Sequence, residues 1–572
     1  MTADYTSSVS QLYPHSSLPN QSRKHNISLD RLPLHIVSQV AFYVLVDDAG
    51  DAGHPAGLLP LLFSCKRVYQ ALYIKYNVSL YGELYKATFD YQALLRRYAW
   101  HRGNALRKEA GRANDIFQDS RLWAADYKDR WEMSRRLRMA TGADTLEIPG
   151  VCDISMHNQD VWNIWNLWRR ANQHSDGKNM LFLVHHCHLK GALELMYRDI
   201  VLPEAARPGF PVETGAKGIM AWLLVLSHFD SFKEDDQEEV DQKMFILRPY
   251  SVAAGIYYSS YAPYTVKKLP LQDYPSEAQA FAVVPHKDYT STYHRFNTTW
   301  SRQPPQCILA SEIGFFRLLE RRSWQTSTGK GFTKEDSYSF EKGFPGILAT
   351  PDASTLTSEA YDREWKRQAS CQDPMNGPGL LPLTFKGCIE GTWRGKSLYM
   401  DFDTYRRILG GDVRLAFAGP YQSQAVEFVL REGLIKVRKG MVGGYGHVFH
   451  AGMINGDSLE RELEWVANGC GHEFVSEDTI DEEGWTKEII ITGHGRTAWG
   501  VASIRGRVRS WDGFVLLSLS YAQDPGARWL WSGYVVPGGY LAGRWRDTVI
   551  PANQAGYEGA FVCIREDAMP RA

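Results

Sequence analysis

The pattern of apolar and polar positions changes along the 572-residue chain. Residues 28–100 carry apolar side chains three and four positions apart, which is the spacing of amphipathic helices. From Phe385 onward, short β-branched and aromatic runs alternate with turn residues, as in antiparallel strands. Residues 101–350 are mixed and mostly helical in pattern. The pattern predicts a multidomain α+β protein with a helical amino-terminal part and a carboxy-terminal antiparallel β-barrel or sandwich.

Amino-acid composition indicates where these regions begin and end. Residues 1–27 are rich in Ser, Asn and Gln, and they predict a disordered leader. Residues 351–382 are rich in Pro, Ser, Asp and Gly and predict a linker, so the β-domain is expected over residues 383–572. Within it, Asp512-Gly513 and Pro537-Gly538-Gly539 each predict a hairpin turn. In the central region the apolar run 218–229 predicts a buried helix, and the acidic run 232–243 predicts an exposed loop.

The first predicted helix has more apolar surface than one core requires. Pro33 fits its first turn, where a missing N–H costs nothing, and Asp30 is a candidate cap. A four-residue stripe follows, and neighbouring apolar positions broaden it: Leu32, Ile36, Val40 and Val44, then Val37 and Ala41. A core helix needs one apolar stripe. The pattern alone fits an ordinary amphipathic helix, whereas the additional apolar surface points to a second partner.

Two segments in order, "LDRLPLHIVSQVAFYVL" and "LLPLLFSCKRVYQAL", resemble an F-box. In that family a Leu-Pro pair opens the first helix, an Ile follows, and a Cys-Lys/Arg segment ends the module. The matching residues here are Leu32, Pro33 and Ile36, then Leu58, Leu61, Cys65, Lys66, Val68 and Leu72. The inserted residues 47–57 resemble those of basidiomycete-type (fungal) F-box proteins.

The resemblance implies a partner and a role. F-box modules dock on the adaptor Skp1, and the rest of such a chain recruits a protein substrate to a cullin-RING ubiquitin ligase. The residues expected to face the adaptor are Leu32, Pro33, Ile36, Val37, Val40, Leu58, Leu61, Cys65 and Leu72. The protein would then be a non-catalytic subunit without a cofactor, because its partners carry out the ligase chemistry.

Two tryptophan motifs in the β-rich region resemble those of calycin-type barrels. Gly391-Thr392-Trp393 matches the G-x-W opening of such barrels, in which the Trp closes one end and a late Arg packs over it. The segment Gly543-Arg544-Trp545-Arg546 near the end offers Arg546 or Arg544 for that cation–π contact. The two Trp residues are interpreted first as barrel-end plugs. The alternative is a cup that binds a peptide or a small ligand.

Net charge, cysteine count and histidine spacing argue against several other classes of protein. A net charge of −1 argues against a nucleic-acid or anionic-membrane partner. Eight scattered cysteines without a C-x-x-C pair favour a reducing, intracellular compartment, either cytoplasmic or nuclear. The N-x-S/T sequons at Asn26, Asn77 and Asn297 are then expected to be unused. The run from His185 to His188 lacks a second ligand pair at zinc spacing, so no metal site is expected.

The sequence therefore favours a substrate-recognition subunit of an SCF-type (Skp1-cullin-F-box) E3 ubiquitin ligase. Two alternatives stay open. One is a ligand- or cofactor-binding calycin-like barrel protein whose helical module serves only for anchoring. The other is an F-box interaction scaffold that never enters a ligase.

Overall fold

A computed structural model describes the elements from which the chain is built. It covers residues 28–47, 53–97, 119–142, 178–197, 215–227, 237–252, 291–295, 298–302, 305–328, 361–371, 379–381, 383–412, 414–438, 475–477, 485–508, 512–547 and 557–566. The predicted leader 1–27 lies outside these ranges, as do the cysteines at 152 and 470. The chain divides into two compact units, Met1–Ala87 and Thr88–Ala572.

The described part of the first unit is helical. Short 3₁₀ turns at Leu29–Arg31 and Pro55–Leu58 accompany four helices, α1 (Leu34–Leu45), α2 (Leu59–Leu62), α3 (Lys66–Leu72) and α4 (Val78–Thr88). The pattern places Pro33 in the first turn of this helix, but the helix begins at Leu34 and Pro33 is its N-cap, without a side-chain capping hydrogen bond. The side chain of Asp30, the predicted cap, lies outside the described residues. The Pro33 carbonyl accepts hydrogen bonds from the amides of Ile36 and Val37.

One asparagine ties the helices of this unit together. Asn77 Nδ2 donates to Ser38 Oγ on α1 at 2.6 Å and to the Ala71 carbonyl on α3 at 2.7 Å. Its Oδ1 accepts from the amide of Leu80 at 3.1 Å, near the start of α4. A single side chain thus links three helices, in addition to the buried apolar contacts.

The second unit begins with helices. They are α5 (Ser120–Ala140), α6 (Lys178–Leu181) with a π-helical turn at Phe182–His186, α7 (Leu189–Met196), α8 (Gly215–Ser227), α9 (Gln237–Val252) and α10 (Cys307–Thr328). A two-stranded antiparallel hairpin, β1 (Ser291–Arg295) with β2 (Thr298–Arg302), precedes α10. The predicted buried helix is confirmed in α8, where Ile219, Trp222 and Leu223 are buried. The predicted acidic loop is wrong from Gln237 onward, because those residues form the exposed first turns of α9.

The predicted linker contains a buried helix, α11 (Asp362–Ser370). Its charged side chains are satisfied inside the fold: Arg367 Nη1 lies 2.7 Å from Glu364, and Asp362 accepts from Arg97 at 2.7 Å. Residues 361–371 therefore belong to the folded unit. Their polar composition does not predict a buried helix, because charged residues that pair inside a fold cannot be distinguished from solvent-exposed ones in a sequence.

The carboxy-terminal part is a closed antiparallel barrel of eight strands. Its strands are β3 (Gly391–Tyr399), β4 (Gln422–Arg438), β5 (Trp485–Thr497), β6 (Gly500–Val508), β7 (Phe514–Tyr521), β8 (Asp524–Val536), β9 (Tyr540–Asp547) and β10 (Glu558–Arg565). Each pairs with the next, and β10 pairs with β3 to close the ring. Two short helices, α12 (Phe402–Leu409) and α13 (Arg414–Ala418), lie between β3 and β4. Of the two predicted architectures the structure therefore has the barrel, and closure leaves its eight-stranded sheet without a free edge.

Both predicted hairpins are confirmed as β6–β7 and β8–β9. Gly513, directly before β7, has φ +76°, a left-handed conformation that favours glycine. The interior of the barrel is filled by apolar and aromatic side chains, among them Trp393, Phe428, Trp531 and Trp545. It is therefore a packed core.

Helix α10 packs against the outside of the barrel through polar contacts. Glu312 lies 3.2 Å from Arg544 of β9, and Glu320 lies 3.2 Å from Lys396 of β3. Arg317 donates to the Tyr540 hydroxyl and lies over its ring. Burial raises the pKa of Glu312 to about 8, and Arg544 opposes that shift.

Candidate functional site

The sequence predicts nine residues that contact an adaptor, and the structure separates them by burial. Val37, Leu58 and Leu72 are at most 3% exposed. These three side chains form the first unit's own core, so they are not a surface that a partner can cover. Pro33 is exposed, and the other five are half-buried: Leu32, Ile36, Val40, Leu61 and Cys65.

Helix α1 carries two apolar stripes at four-residue spacing. Val37, Ala41 and Leu45 form the buried stripe. Ile36, Val40 and Val44 form a second stripe, one position earlier in each turn, and Val44 is 52% exposed. Residues four apart share a helix face, so the second stripe is a continuous apolar surface beside the core. We call Pro33, Ile36, Val40 and Val44 the accessible stripe.

A tyrosine ladder on the same unit was not predicted from the sequence. The rings of Tyr69 and Tyr73 stack at 4.9 Å, and Tyr76 lies 5.9 Å from Tyr73. Tyr76 is 62% exposed, and Phe63 nearby in the chain is 80% exposed. The spacing of 69 and 73 in a helical pattern could have indicated one face. The burial pattern that leaves that face uncovered is not visible in a sequence.

Cys65 has a structural role in this unit. It is the N-cap of α3, and its Sγ accepts a hydrogen bond from the amide of Val68 at 3.5 Å. Sulfur is an unusual acceptor in a position where Ser, Thr, Asp and Asn predominate. The Cys-Lys-Arg segment therefore starts a helix as well as carrying the family resemblance.

Trp393 lies at one end of the barrel and is fully buried. Its Nε1 donates to the Ile389 carbonyl at 2.7 Å, and its strand neighbours are Phe428 on β4 and Arg565 on β10. The late arginine beside the G-x-W tryptophan is thus Arg565. Its Nη1 donates to the carbonyls of Gly387 and Cys388 at 2.9 and 3.2 Å, so it fastens the segment that enters β3.

The predicted arginines do not lie on Trp393. Trp545 faces the barrel interior, so its neighbours on β9, Arg544 and Arg546, face outward. Arg544 contacts Glu312, and Arg546 lies 3.7 Å from Glu558. The segment "GRWRD" repeats the G-x-W pattern, but its tryptophan lies at the other end of β3 from Trp393. The terminal "FVCIRED" carries the arginine that β-strand register brings to Trp393.

Trp545 belongs to an aromatic group at the other end of the barrel. Its Nε1 donates to the Leu398 carbonyl at 3.1 Å, at the end of β3 opposite Trp393. Trp499 and Trp529 stack at 4.8 Å, and Tyr557 lies 5.4 Å from Trp545. Trp499 is 39% exposed, so this end carries an aromatic rim.

A buried arginine network covers the Trp393 end. Arg367 of α11 is 1% exposed and donates from Nε to the Asp512 carbonyl at 2.8 Å. Its guanidinium lies 4.7 Å from the centre of the Phe385 ring and 4.9 Å from that of Tyr534. The Tyr534 hydroxyl donates to Asp512 Oδ2 at 2.7 Å. These contacts hold α11 against the barrel.

Metal-ligand clusters, disulfides and membrane-spanning helices are absent from the described ranges. Among those residues, no group of three or more His, Cys, Asp or Glu side chains is arranged to hold a metal ion. His188, from the histidine run, has φ 51° and bonds through Nδ1 to Thr141 Oγ1 at 2.9 Å. Six cysteines in the described ranges are free thiols. Of the helices that the structure describes, none combines the length and the apolarity needed to cross a bilayer.

Comparison with known proteins returned no match. No family model, no curated protein and no solved structure is significantly similar to the chain. The interpretation of both units therefore rests on their own residues.

Proposed function

We propose that the chain is the substrate-recognition subunit of an SCF-type E3 ubiquitin ligase. The first unit would dock on a Skp1-like adaptor, through which the cullin is joined, and the second unit would recruit a protein substrate. The accessible stripe on α1 carries this proposal. The stripe runs beside a complete core stripe, so the unit is packed without it.

The size of the accessible stripe suits a helix-mediated interface. Full burial of a Val or Ile side chain contributes about 1.5–3 kcal/mol, and these side chains are already partly covered. Three or four such side chains in one row supply the kind of apolar surface on which a helix-mediated interface depends.

A co-purification experiment tests the docking step. Val44→Asp places a charge at the most exposed aliphatic position of the stripe, and Leu32→Ala with Pro33→Ala removes its start. We expect both variants to lose a co-expressed Skp1-like adaptor. His35→Asp is the matched control, since His35 is exposed on another face of the same helix. Circular dichroism of each variant verifies that the helices are retained.

The result that contradicts the proposal is equally direct. If the adaptor is retained by the folded Val44→Asp variant, the accessible stripe is not the docking surface. If the adaptor is captured but a cullin never accompanies it in a native-cell pull-down, the chain is a scaffold outside a ligase.

A ligand-binding barrel protein is the second candidate function. It is favoured by the pairing of Trp393 with Arg565 across β3 and β10, an arrangement that resembles the end closure expected of calycin-type barrels. Native mass spectrometry of the purified chain tests it. A bound small molecule, or a chromophore absorbing above the protein band, would favour this candidate, whereas a colourless chain that elutes with the adaptor favours the receptor.

A further inference from the structure

A cavity lies at the Trp393 end of the barrel, where α11 and the β8–β9 turn meet the segment that enters β3. Its volume is about 240 Å³. Three arginines line it: Arg363, Arg367 and Arg565. Phe385, Cys388 and Trp393 also line it. A dry cavity of about 150 Å³ holds a benzene molecule, so this one has room for a ring with a small polar substituent.

The glutamates at the cavity are already bound within the fold. Glu364 pairs with Arg367 at 2.7 Å and neutralises it. The carboxylate of Glu432 accepts hydrogen bonds from the amides of Gly387, Ile389 and Glu390, so it is bound on the segment that walls the cavity. Both glutamates are thus engaged, one by Arg367 and the other by backbone amides.

Arg363 is the arginine with donors to spare. Its Nε donates to the Thr384 carbonyl at 3.1 Å, and its Nη1 and Nη2 donate to no acceptor in the part of the chain that the structure describes. A guanidinium presents paired N–H donors that match the two oxygens of a carboxylate. The aromatic and aliphatic side chains of the cavity suit the remainder of such a ligand.

We propose that this cavity binds a small organic monocarboxylate whose carboxylate is held by Arg363 and whose ring packs toward Phe385 and Trp393. A carboxylate carries one negative charge, which a single guanidinium can pair through two hydrogen bonds. A phosphate monoester would place a second negative charge beside Glu364 and Glu432. The cavity and the accessible stripe share no residue, so this proposal does not rest on adaptor docking.

Calorimetry with the full chain tests the site. Benzoate is the probe, and we expect it to bind with a Kd of about 1 mM or lower. Benzamide, which has the same shape without the charge, should not bind. Arg363→Gln should weaken benzoate binding about tenfold or more, since hydrogen bonds to charged groups are the strong ones. Arg414→Gln is the control, because Arg414 is 90% exposed on α13.

A second measurement uses the unsubstituted protein. Cys388 lines the cavity, and burial raises the pKa of its thiol, so alkylation by iodoacetamide should be slow. Benzoate should slow it further, and benzamide should not, as followed by mass spectrometry of the Cys388 peptide. Cys65 in the first unit is the internal reference, whose rate should stay unchanged.

Three results would overturn the proposal. One is the absence of both benzoate heat and Cys388 protection at millimolar probe. Another is equal benzoate affinity in Arg363→Gln and the unsubstituted chain. The third is phenyl phosphate binding as tightly as benzoate, which would exclude a monocarboxylate as the preferred ligand. None of these results bears on capture of the adaptor.

Discussion

Glu488 makes the stability of the barrel depend on pH. It lies on the outer face of β5, is 1% exposed, and pairs in register with Ile435. Neither carboxylate oxygen has a hydrogen-bond partner among the residues that the structure describes. Burial alone raises the pKa of this carboxyl from 4.5 to about 8. The folded chain therefore keeps a proton on Glu488 that the unfolded chain releases above pH 4.5.

The sign of the effect follows from that difference in bound protons. Between pH 4.5 and about 8 the folded state holds more protons, so the free energy of unfolding falls as the pH rises. Each pH unit in this interval costs up to about 1.4 kcal/mol, which gives an upper bound of about 5 kcal/mol by pH 8. Above pH 8 both states are ionised, and the loss levels off.

Glu488→Gln removes the titration and keeps the shape of the side chain. We expect the variant to resemble the unsubstituted chain near pH 5 and to be more stable by several kcal/mol near pH 8. Urea unfolding followed by tryptophan fluorescence is the assay, because all 18 Trp residues lie in the second unit. Glu390→Gln is the control, since Glu390 is exposed at the start of the same barrel.

Parallel pH profiles of the Glu488→Gln variant and the unsubstituted chain would refute the reasoning. They would mean that Glu488 ionises without penalty in the folded chain and therefore that it is hydrated or paired. A variant destabilised equally at every pH would also refute it, because the protonated acid would then have made a contact that Gln cannot reproduce.

Three further predictions concern local contacts. Trp393→Phe loses ring volume and the hydrogen bond to Ile389, and we expect a cost of about 1–3 kcal/mol in urea unfolding. Gly513→Ala should lower the Tm, because φ is +76° and the new Cβ would lie 2.1 Å from Phe385 Cε2; an unchanged Tm in thermal unfolding would contradict this. Cys65→Ser should retain the helix cap, whereas Cys65→Ala should cost about 0.5–2 kcal/mol by chemical denaturation of the first unit.

Local signals predicted the hairpins of the barrel but not its closure. Asp512-Gly513 and Pro537-Gly538-Gly539 favour turns through their own backbone preferences, and the strands that they were predicted to join are paired. Pairing of β3 with β10 joins residues more than 150 positions apart, and no local pattern encodes it. The same pairing brings Arg565 to Trp393, which is why the tryptophan was predicted and its arginine was not.

The sequence predicts that α1 has additional apolar surface, but it does not predict which residues form that surface. The excess of apolar positions on α1 was readable from periodicity. Which stripe is buried depends on how α1 meets α3, and this assigned Val37 to the core and Val44 to the surface. In α11 the reverse occurs: Glu364 and Arg367 appear solvent-exposed in sequence, but they neutralise each other inside the fold.

The contacts of Asn77 bear on what can happen to this chain in a secretory compartment. Asn77 begins an N-x-S sequon, and its Nδ2 is the atom to which an oligosaccharide would be joined. In the folded unit that nitrogen donates to both Ser38 and Ala71, so both of its hydrogens are engaged. A glycan would replace one hydrogen and place a bulky sugar between α1 and α3. The folded first unit and a sugar at Asn77 therefore exclude each other.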